Sequence, residues 1–315
     1  MTTLILEQSD YSPRALEIYG RLGPLWMGEP PQGMTSSVSL LVVRLAHKLD
    51  YQFLSKYPKL IAIASPTTGL SHIDCNVCRE KGIRVFSLQD CREAIENVTS
   101  TSELALGLMI ALLRRIPQAH YDVTIHGRWD RDRFRSRQLA GLTLGIIGLG
   151  RIGGHVARYA RAMGMQVIAS DPYQSETRFA DLAVQRRNLV SLLEEADIIS
   201  LHTSLQEDTY NLLGAQEISL MCSGALLINT ARGALLDETA VVSAVRNGKL
   251  GGVAVDVLAD EQSSIPWNES PLVSAAQEGY NIILTPHIGG CTSDAMHITE
   301  ESLAEVVANA LEGLI

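Results

Sequence analysis

A chain of 315 residues with 46% hydrophobic and 19% charged content has room for two domains with buried cores, and lacks the polar bias of a disordered protein. Its formal net charge of −9 argues against an extended nucleic-acid surface, which draws on clustered Lys and Arg. The longest apolar run, residues 104–113, is about half of what a bilayer span needs, and the opening MTTLILEQSD has no basic n-region. A cytoplasmic protein without membrane or nucleic-acid partners is expected.

Along the chain, TLILE, SLLVVR, KLIAIA and IRVFS read as strands, with helices over SPRALEIYGRLG and HIDCNVCREKG between some of them. The second helix holds a CxxC, Cys75 and Cys78. No second CxxC or CxxH follows, so no metal or redox site is expected, and the thiols read as small core residues one helical turn apart. Five cysteines, an odd number, fit a reducing compartment. STSELALGLMIALLRRIPQAH reads as one broad apolar helix, capped by Ser100 or Ser102 and ending near Pro117. HGRWDRDRFRSRQ follows, with five arginines against two aspartates, and reads as a solvated loop. A second strand series then runs through LTLGIIG, MQVIASD, ADIISLH, GALLINT, GGVAVDV and NIILTP, and TSDAMHITEESLAEVVANALEGL closes the chain as an amphipathic helix. Near-continuous apolar strands joined by helical crossovers predict an α/β protein with two parallel, doubly wound sheets.

LGIIGLGRIGGHVARYARAMGMQVIASD carries the most specific pattern. Gly148, Gly150 and Gly153 form a GxGxxG directly after a strand and at the opening of a helix. Such a turn needs glycine for the bend, for close approach of a pyrophosphate and for helix packing, and the helix N-terminus attracts the anion. The next strand ends in Asp171, at the spacing of roughly 20 residues expected of a carboxylate that grips a ribose 2′-hydroxyl. A carboxylate there repels a 2′-phosphate, so NAD is expected rather than NADP.

Arg232, Glu261 and His287 each follow an apolar strand of this second series. Ligands of doubly wound sheets bind outside the carboxyl ends of the strands, so the three can converge. An arginine fork suits a carboxylate, a histidine exchanges a hydroxyl proton near neutral pH, and a neighbouring carboxylate holds its ring and favours its charged form. Together they suit the oxidation of a 2-hydroxy acid.

The motifs GIIGLGRIG, LLINTARGALLDE, GGVAVDV and LTPHIGGCT, in this order, resemble the D-isomer-specific 2-hydroxyacid dehydrogenase family from about residue 40 onward. The resemblance implies a catalytic trio of Arg232, Glu261 and His287. It implies that Asp256 and the Ala231 carbonyl hold the nicotinamide amide. It extends the cofactor-binding set to Arg151, Ile152, His202, Thr203, Thr230 and Gly289. It also implies a flavodoxin-like substrate domain of residues 1–100 plus 289–315, around a Rossmann NAD-binding domain of residues 101–288. A homodimer joined through residues 102–118 and the following arm is implied as well. The substrate carboxylate is expected at the backbone of Thr67, Thr68, Gly69 and Leu70, and Arg44 at the far end of a 2-hydroxy or 2-keto acid that is small and polar or phosphorylated. The resemblance also makes an arginine of residues 128–137 a candidate to complete an anionic-substrate pocket, within the chain or across the dimer. Gln262 stands where the family commonly has proline, Ser136 where glycine is usual, and Thr203 and Ser204 where an apolar residue and proline are common. No appended regulatory domain is expected after the closing helix. The alternative reading is an NAD-sensing corepressor of the same architecture.

Overall fold

The structure, a computed structural model, describes residues 1–7, 10–30, 33–259, 261 and 266–312; Gln262 lies outside them. The chain divides into two compact units, one of Met1–Val98 with Cys291–Ile315 and one of Thr99–Gly290.

The first unit begins with β1 (Thr3–Ile5), α1 (Pro13–Arg21), β2 (Leu25–Met27), β3 (Leu40–Val42), α2 (Tyr51–Leu54), β4 (Ala62–Ala64), α3 (Cys75–Glu80) and β5 (Arg84–Phe86). The strands pair in parallel, in the order β2-β1-β3-β4-β5. Ser12 starts α1 by accepting the Ala15 N–H, with Pro13 at the first position, where a missing N–H costs nothing. Asp74 starts α3 by accepting the N–H groups of Asn76 and Val77. Cys78 packs in the core with Leu49, Leu54 and Ile63, and burial pushes its thiol up to about 11.

The second unit contains α4 (Ser100–Leu113), α5 (Ile116–His126), β6 (Thr143–Ile147), α6 (Arg151–Ala162), β7 (Gln166–Ser170), α7 (Glu176–Asp181), β8 (Gln185–Arg186) and α8 (Leu189–Glu195). It continues through β9 (Ile198–Leu201), α9 (Ala215–Leu220), β10 (Ala225–Asn229), α10 (Glu238–Arg246), β11 (Leu250–Val255), α11 (Pro271–Gln277) and β12 (Ile282–Leu284). These strands are also parallel, in the order β12-β11-β10-β9-β6-β7-β8. The chain winds away from β6 in both directions, so the switch point lies between β6 and β9, where such sheets bind ligands. Apolar clusters on both faces explain the uninterrupted apolar strands. The last helix, α12 (Ser293–Leu311), belongs to the first unit, where Leu303, Ala304 and Val307 pack with Ala15, Ile18 and Tyr19.

Three local expectations are corrected. The apolar segment after residue 99 is two helices, because Arg115 adopts φ +51 and breaks the run. Pro117 does not end a helix; it lies in the opening turn of α5, where proline is tolerated. Neither Ser100 nor Ser102 caps α4, since both lie inside it; the preceding Thr99 gives its hydroxyl to Glu103 instead of capping a backbone N–H.

Candidate active site

The glycine turn joins β6 to α6. Gly148 takes φ +93, and a Cβ there would stand 2.7 Å from the His202 carbonyl, so only glycine both turns the chain and admits the end of β9. A Cβ on Gly153 would lie 2.1 Å from the Gly148 carbonyl oxygen, which makes this glycine the contact between helix and turn. Around Gly150 a Cβ would meet nothing within 4 Å. Gly150 caps α6 without a side chain, and Arg151 and Ile152, half-buried, open the first turn, the end of a helix that attracts an anion.

Asp171 stands beside this turn. Its Oδ2 accepts the Leu149 N–H at 2.8 Å and its Oδ1 the Tyr173 N–H at 2.9 Å. Each oxygen keeps a lone pair for a sugar hydroxyl. His202 and Thr203 leave β9 against Gly148, and the His202 ring bonds Ser200 Oγ at 2.8 Å. Desolvation of the ring pushes it down to about 4, although the residue as a whole keeps some surface, so His202 is neutral at physiological pH. The Thr230 hydroxyl is buried with no hydrogen-bond partner among the described residues.

Arg232, Glu261 and His287 meet where β10, β11 and β12 end. The loops are stitched together by backbone: Asp256 N–H donates to Asn229 O, Thr285 N–H to Val255 O, and His287 N–H to Asp256 O, each at 2.9–3.0 Å. Gly233 lacks the Cβ that would lie 2.0 Å from the Leu258 carbonyl carbon, so the Arg232 turn packs directly on the loop leading to Glu261. The Glu261 Oε1 lies 2.8 Å from His287 Nδ1. Nδ1–H donating to this carboxylate turns Nε2 outward, and Nε2 makes no hydrogen bond among the described residues. Burial lowers the Arg232 guanidinium from its ordinary value while the Glu261 charge opposes that shift, so the carboxylate acts on both basic partners. Arg232 Nη1 donates to the Ala231 carbonyl at 2.6 Å.

Two positioning residues were not singled out from sequence. Asn229 donates to the Arg232 carbonyl at 2.8 Å and accepts the Ala231 N–H at 3.0 Å, shaping the turn that carries the guanidinium. An Asn between a strand and a turn is a legible signal for such bonding. Thr285 gives its hydroxyl to Asp256 Oδ1 at 2.5 Å. Asp256 also accepts the Ile288 N–H at 2.9 Å and the Gly289 N–H at 2.7 Å, so its carboxylate is already engaged in holding the His287 segment.

In the first unit, the loop after β4 is tied by side chains. Thr67 Oγ1 donates to Gly69 O and bonds Ser65 Oγ, both at 2.9 Å, and Gln89 holds the Thr68 carbonyl at 3.2 Å. The backbone N–H groups of Thr67, Thr68, Gly69 and Leu70 make no hydrogen bond among the described residues. Arg44 faces Glu300 in a buried ion pair, donates to the Asp10 carbonyl at 2.7 Å and lies over the Tyr11 ring. Of the arginines in the 128–137 segment, Arg128 and Arg133 pair with Asp122, Arg135 with Asp132 and Arg137 with Asp197.

Residues 106–289 match the NAD-binding domain of the D-isomer-specific 2-hydroxyacid dehydrogenases. The chain belongs to that family. It is 37% identical over 275 residues to a D-3-phosphoglycerate dehydrogenase of Methanocaldococcus jannaschii, an alignment covering 87% of this chain and 50% of that protein. It is 36% identical over 274 residues to a hydroxypyruvate reductase of Thermotoga maritima, covering 87% and 85%. The chain thus spans about half the length of the phosphoglycerate dehydrogenase it matches. Among solved structures, a D-lactate dehydrogenase of Aquifex aeolicus complexed with NAD and lactic acid is similar with a TM-score of 0.85 at 29% identity, over 99% of this chain and 96% of that one.

The residues present fit NAD. The open side of Gly150 admits a pyrophosphate, Asp171 suits a ribose diol, and the Thr230 hydroxyl is a buried polar atom with no partner among the described residues. No group of three or more metal-ligating side chains occurs among the described residues.

Proposed function

We propose that the chain is an NAD-dependent dehydrogenase that interconverts a small D-2-hydroxy acid and its 2-keto acid. The observation that carries this reading is the 2.8 Å contact between His287 and Glu261, beside a desolvated arginine on the same sheet edge as the dinucleotide turn. Gly148, Gly150, Gly153 and Asp171 hold the cofactor, with Arg151, Ile152, His202, Thr203, Thr230, Ala231, Asp256 and Gly289 around it. NAD, when bound, would supply the acceptor for the hydride that leaves C2 of the hydroxy acid. Arg232 grips the substrate carboxylate, because a guanidinium fork matches its two oxygens and a dry setting strengthens the pairing. His287 Nε2 takes the hydroxyl proton during oxidation and returns it during reduction. Glu261 fixes the ring so that Nε2 faces the hydroxyl, and stabilises the imidazolium formed.

In the first unit, the backbone N–H groups of Thr67, Thr68, Gly69 and Leu70, which make no hydrogen bond among the described residues, are the candidates for an anionic group of the substrate. The charge of Arg44 is already neutralised by Glu300, and this favours glyoxylate or hydroxypyruvate over a phosphorylated acid. The exposed apolar residues on and after α5, Tyr121, Ile125 and the 90% exposed Trp129 among them, support a homodimer through this arm. The free cysteines support a cytoplasmic setting.

The test is an NADH-depletion screen over 2-keto acids with and without phosphate, using His287→Ala as the control. Turnover that vanishes in His287→Ala while NADH still binds is expected. A wild-type protein that binds NADH and reduces no acid would support the corepressor-type reading instead.

A further inference from the structure

The first turn of α6 contains a glycine that the phosphate cradle does not need. Gly154 is not in a left-handed conformation, and inside a helix glycine is less favourable than alanine. A Cβ there would lie 2.5 Å from Nη2 of Arg178 and 3.3 Å from its Cζ. The missing side chain is therefore the seat of a guanidinium. From that seat Arg178, on α7, donates from Nε to the Leu149 carbonyl at 3.3 Å and from Nη2 to the Gly150 carbonyl at 3.0 Å. Arg178 forms no ion pair among the described residues, and its guanidinium lies behind the turn.

The planar peptide converts this grip into an orientation. A carbonyl and the N–H of the following residue point in opposite directions. With the Leu149 carbonyl held on Arg178, and the Gly150 carbonyl shared between Arg178 and the Gly154 N–H at 2.9 Å, the N–H groups of Gly150 and Arg151 face away from the guanidinium. The Gly150 N–H makes no hydrogen bond among the described residues, and the space where a Gly150 Cβ would stand is open. The donors a pyrophosphate needs are thus aligned before it arrives, and a cation lies on the other side of the turn.

We infer that Arg178 is a positioning residue for NAD(H), and that Gly154 exists to seat it. The inference rests on the dinucleotide reading of this turn. The test measures NADH dissociation constants by fluorescence titration, kcat at saturating NADH, and thermal unfolding midpoints for four variants: Arg178→Met, Arg178→Lys, Gly154→Ala and the Arg178→Met/Gly154→Ala double. Arg178→Met is expected to weaken NADH about tenfold with kcat unchanged, the scale of one charge-assisted hydrogen bond. Arg178→Lys, which keeps the charge but not the planar fork, should recover part of that loss. Gly154→Ala only has to displace the end of a flexible side chain, so it should weaken NADH several-fold without lowering the unfolding midpoint. The double variant should bind no worse than Arg178→Met. Penalties that multiply in the double variant, or affinity lost only in step with stability, would overturn the inference. So would wild-type affinity in Arg178→Met. A wild-type protein that binds no NADH would instead remove the reading beneath it.

Discussion

Asp256→Asn tests whether His287, the proposed acid–base, is held by the hydrogen bonds beneath it. Asp256 is 1% exposed, and its carboxylate accepts the Thr285 hydroxyl and the Ile288 and Gly289 N–H groups. His287, between these anchors, adopts φ +54, a left-handed conformation that costs a non-glycine residue about 1 kcal/mol. Asparagine keeps one accepting oxygen and turns the other into a donor facing a buried N–H. Losing one charge-assisted bond removes about 1.5–3 kcal/mol, and the orphaned N–H adds about 1–3 kcal/mol. A net shift of about 3 kcal/mol lets the segment relax toward ordinary backbone and carries Nε2 away from the substrate hydroxyl. At about 1.4 kcal/mol per tenfold, kcat should fall by about 100-fold. Unfolding should occur about 6–12 °C lower, at roughly 2–4 °C per kcal/mol for a unit of this size. Steady-state kinetics with hydroxypyruvate and thermal unfolding by circular dichroism measure both. A variant with kcat within twofold of wild type and an unchanged midpoint would refute the anchoring argument.

Arg232→Lys keeps a cation and loses the fork, so KM for the acid should rise at least about tenfold while NADH affinity holds; an unchanged KM would place the carboxylate anchor elsewhere. Asp171→Ala should relax the preference for NAD, and a wild-type protein already preferring NADP would contradict the ribose role. The fourth prediction follows from His202, held near 4 against an ordinary 6.5. On acidification the unfolded chain takes up this proton first, so the stability tied to neutral His202 is whole above about pH 6.5 and lost as pH falls toward 4. Urea midpoints of wild type and His202→Asn should therefore converge between pH 7 and 4.5, and a gap that widens would reverse the sign.

Much of the second unit was legible because its signals are local. The apolar strands of β6, β7, β9, β10, β11 and β12 carry no polar face, which only a sheet covered on both sides explains. Strand β2 and strand β8 were not legible: LWM is short and partly exposed, and QR is polar and exposed, so neither shows a periodicity to read. The break at Arg115 was equally hidden, since a left-handed backbone at an arginine leaves no mark in composition.

The spacing of Gly148, Gly150, Gly153 and Asp171 by itself determined the dinucleotide turn, because a tight bend, an open backbone and a sugar-binding carboxylate each demand one residue type at one offset. Only the tertiary structure decided which polar side chains were available. Arg44 is expected at the far end of the substrate, and α12 brings Glu300 against it from the far end of the chain, a partner its own segment does not announce. Asp256 is expected beside the cofactor, and the fold also engages its carboxylate beneath His287. A side chain's chemistry is written in one letter, whereas its hydrogen-bond partners arrive from distant segments through packing, and they set what that chemistry can reach.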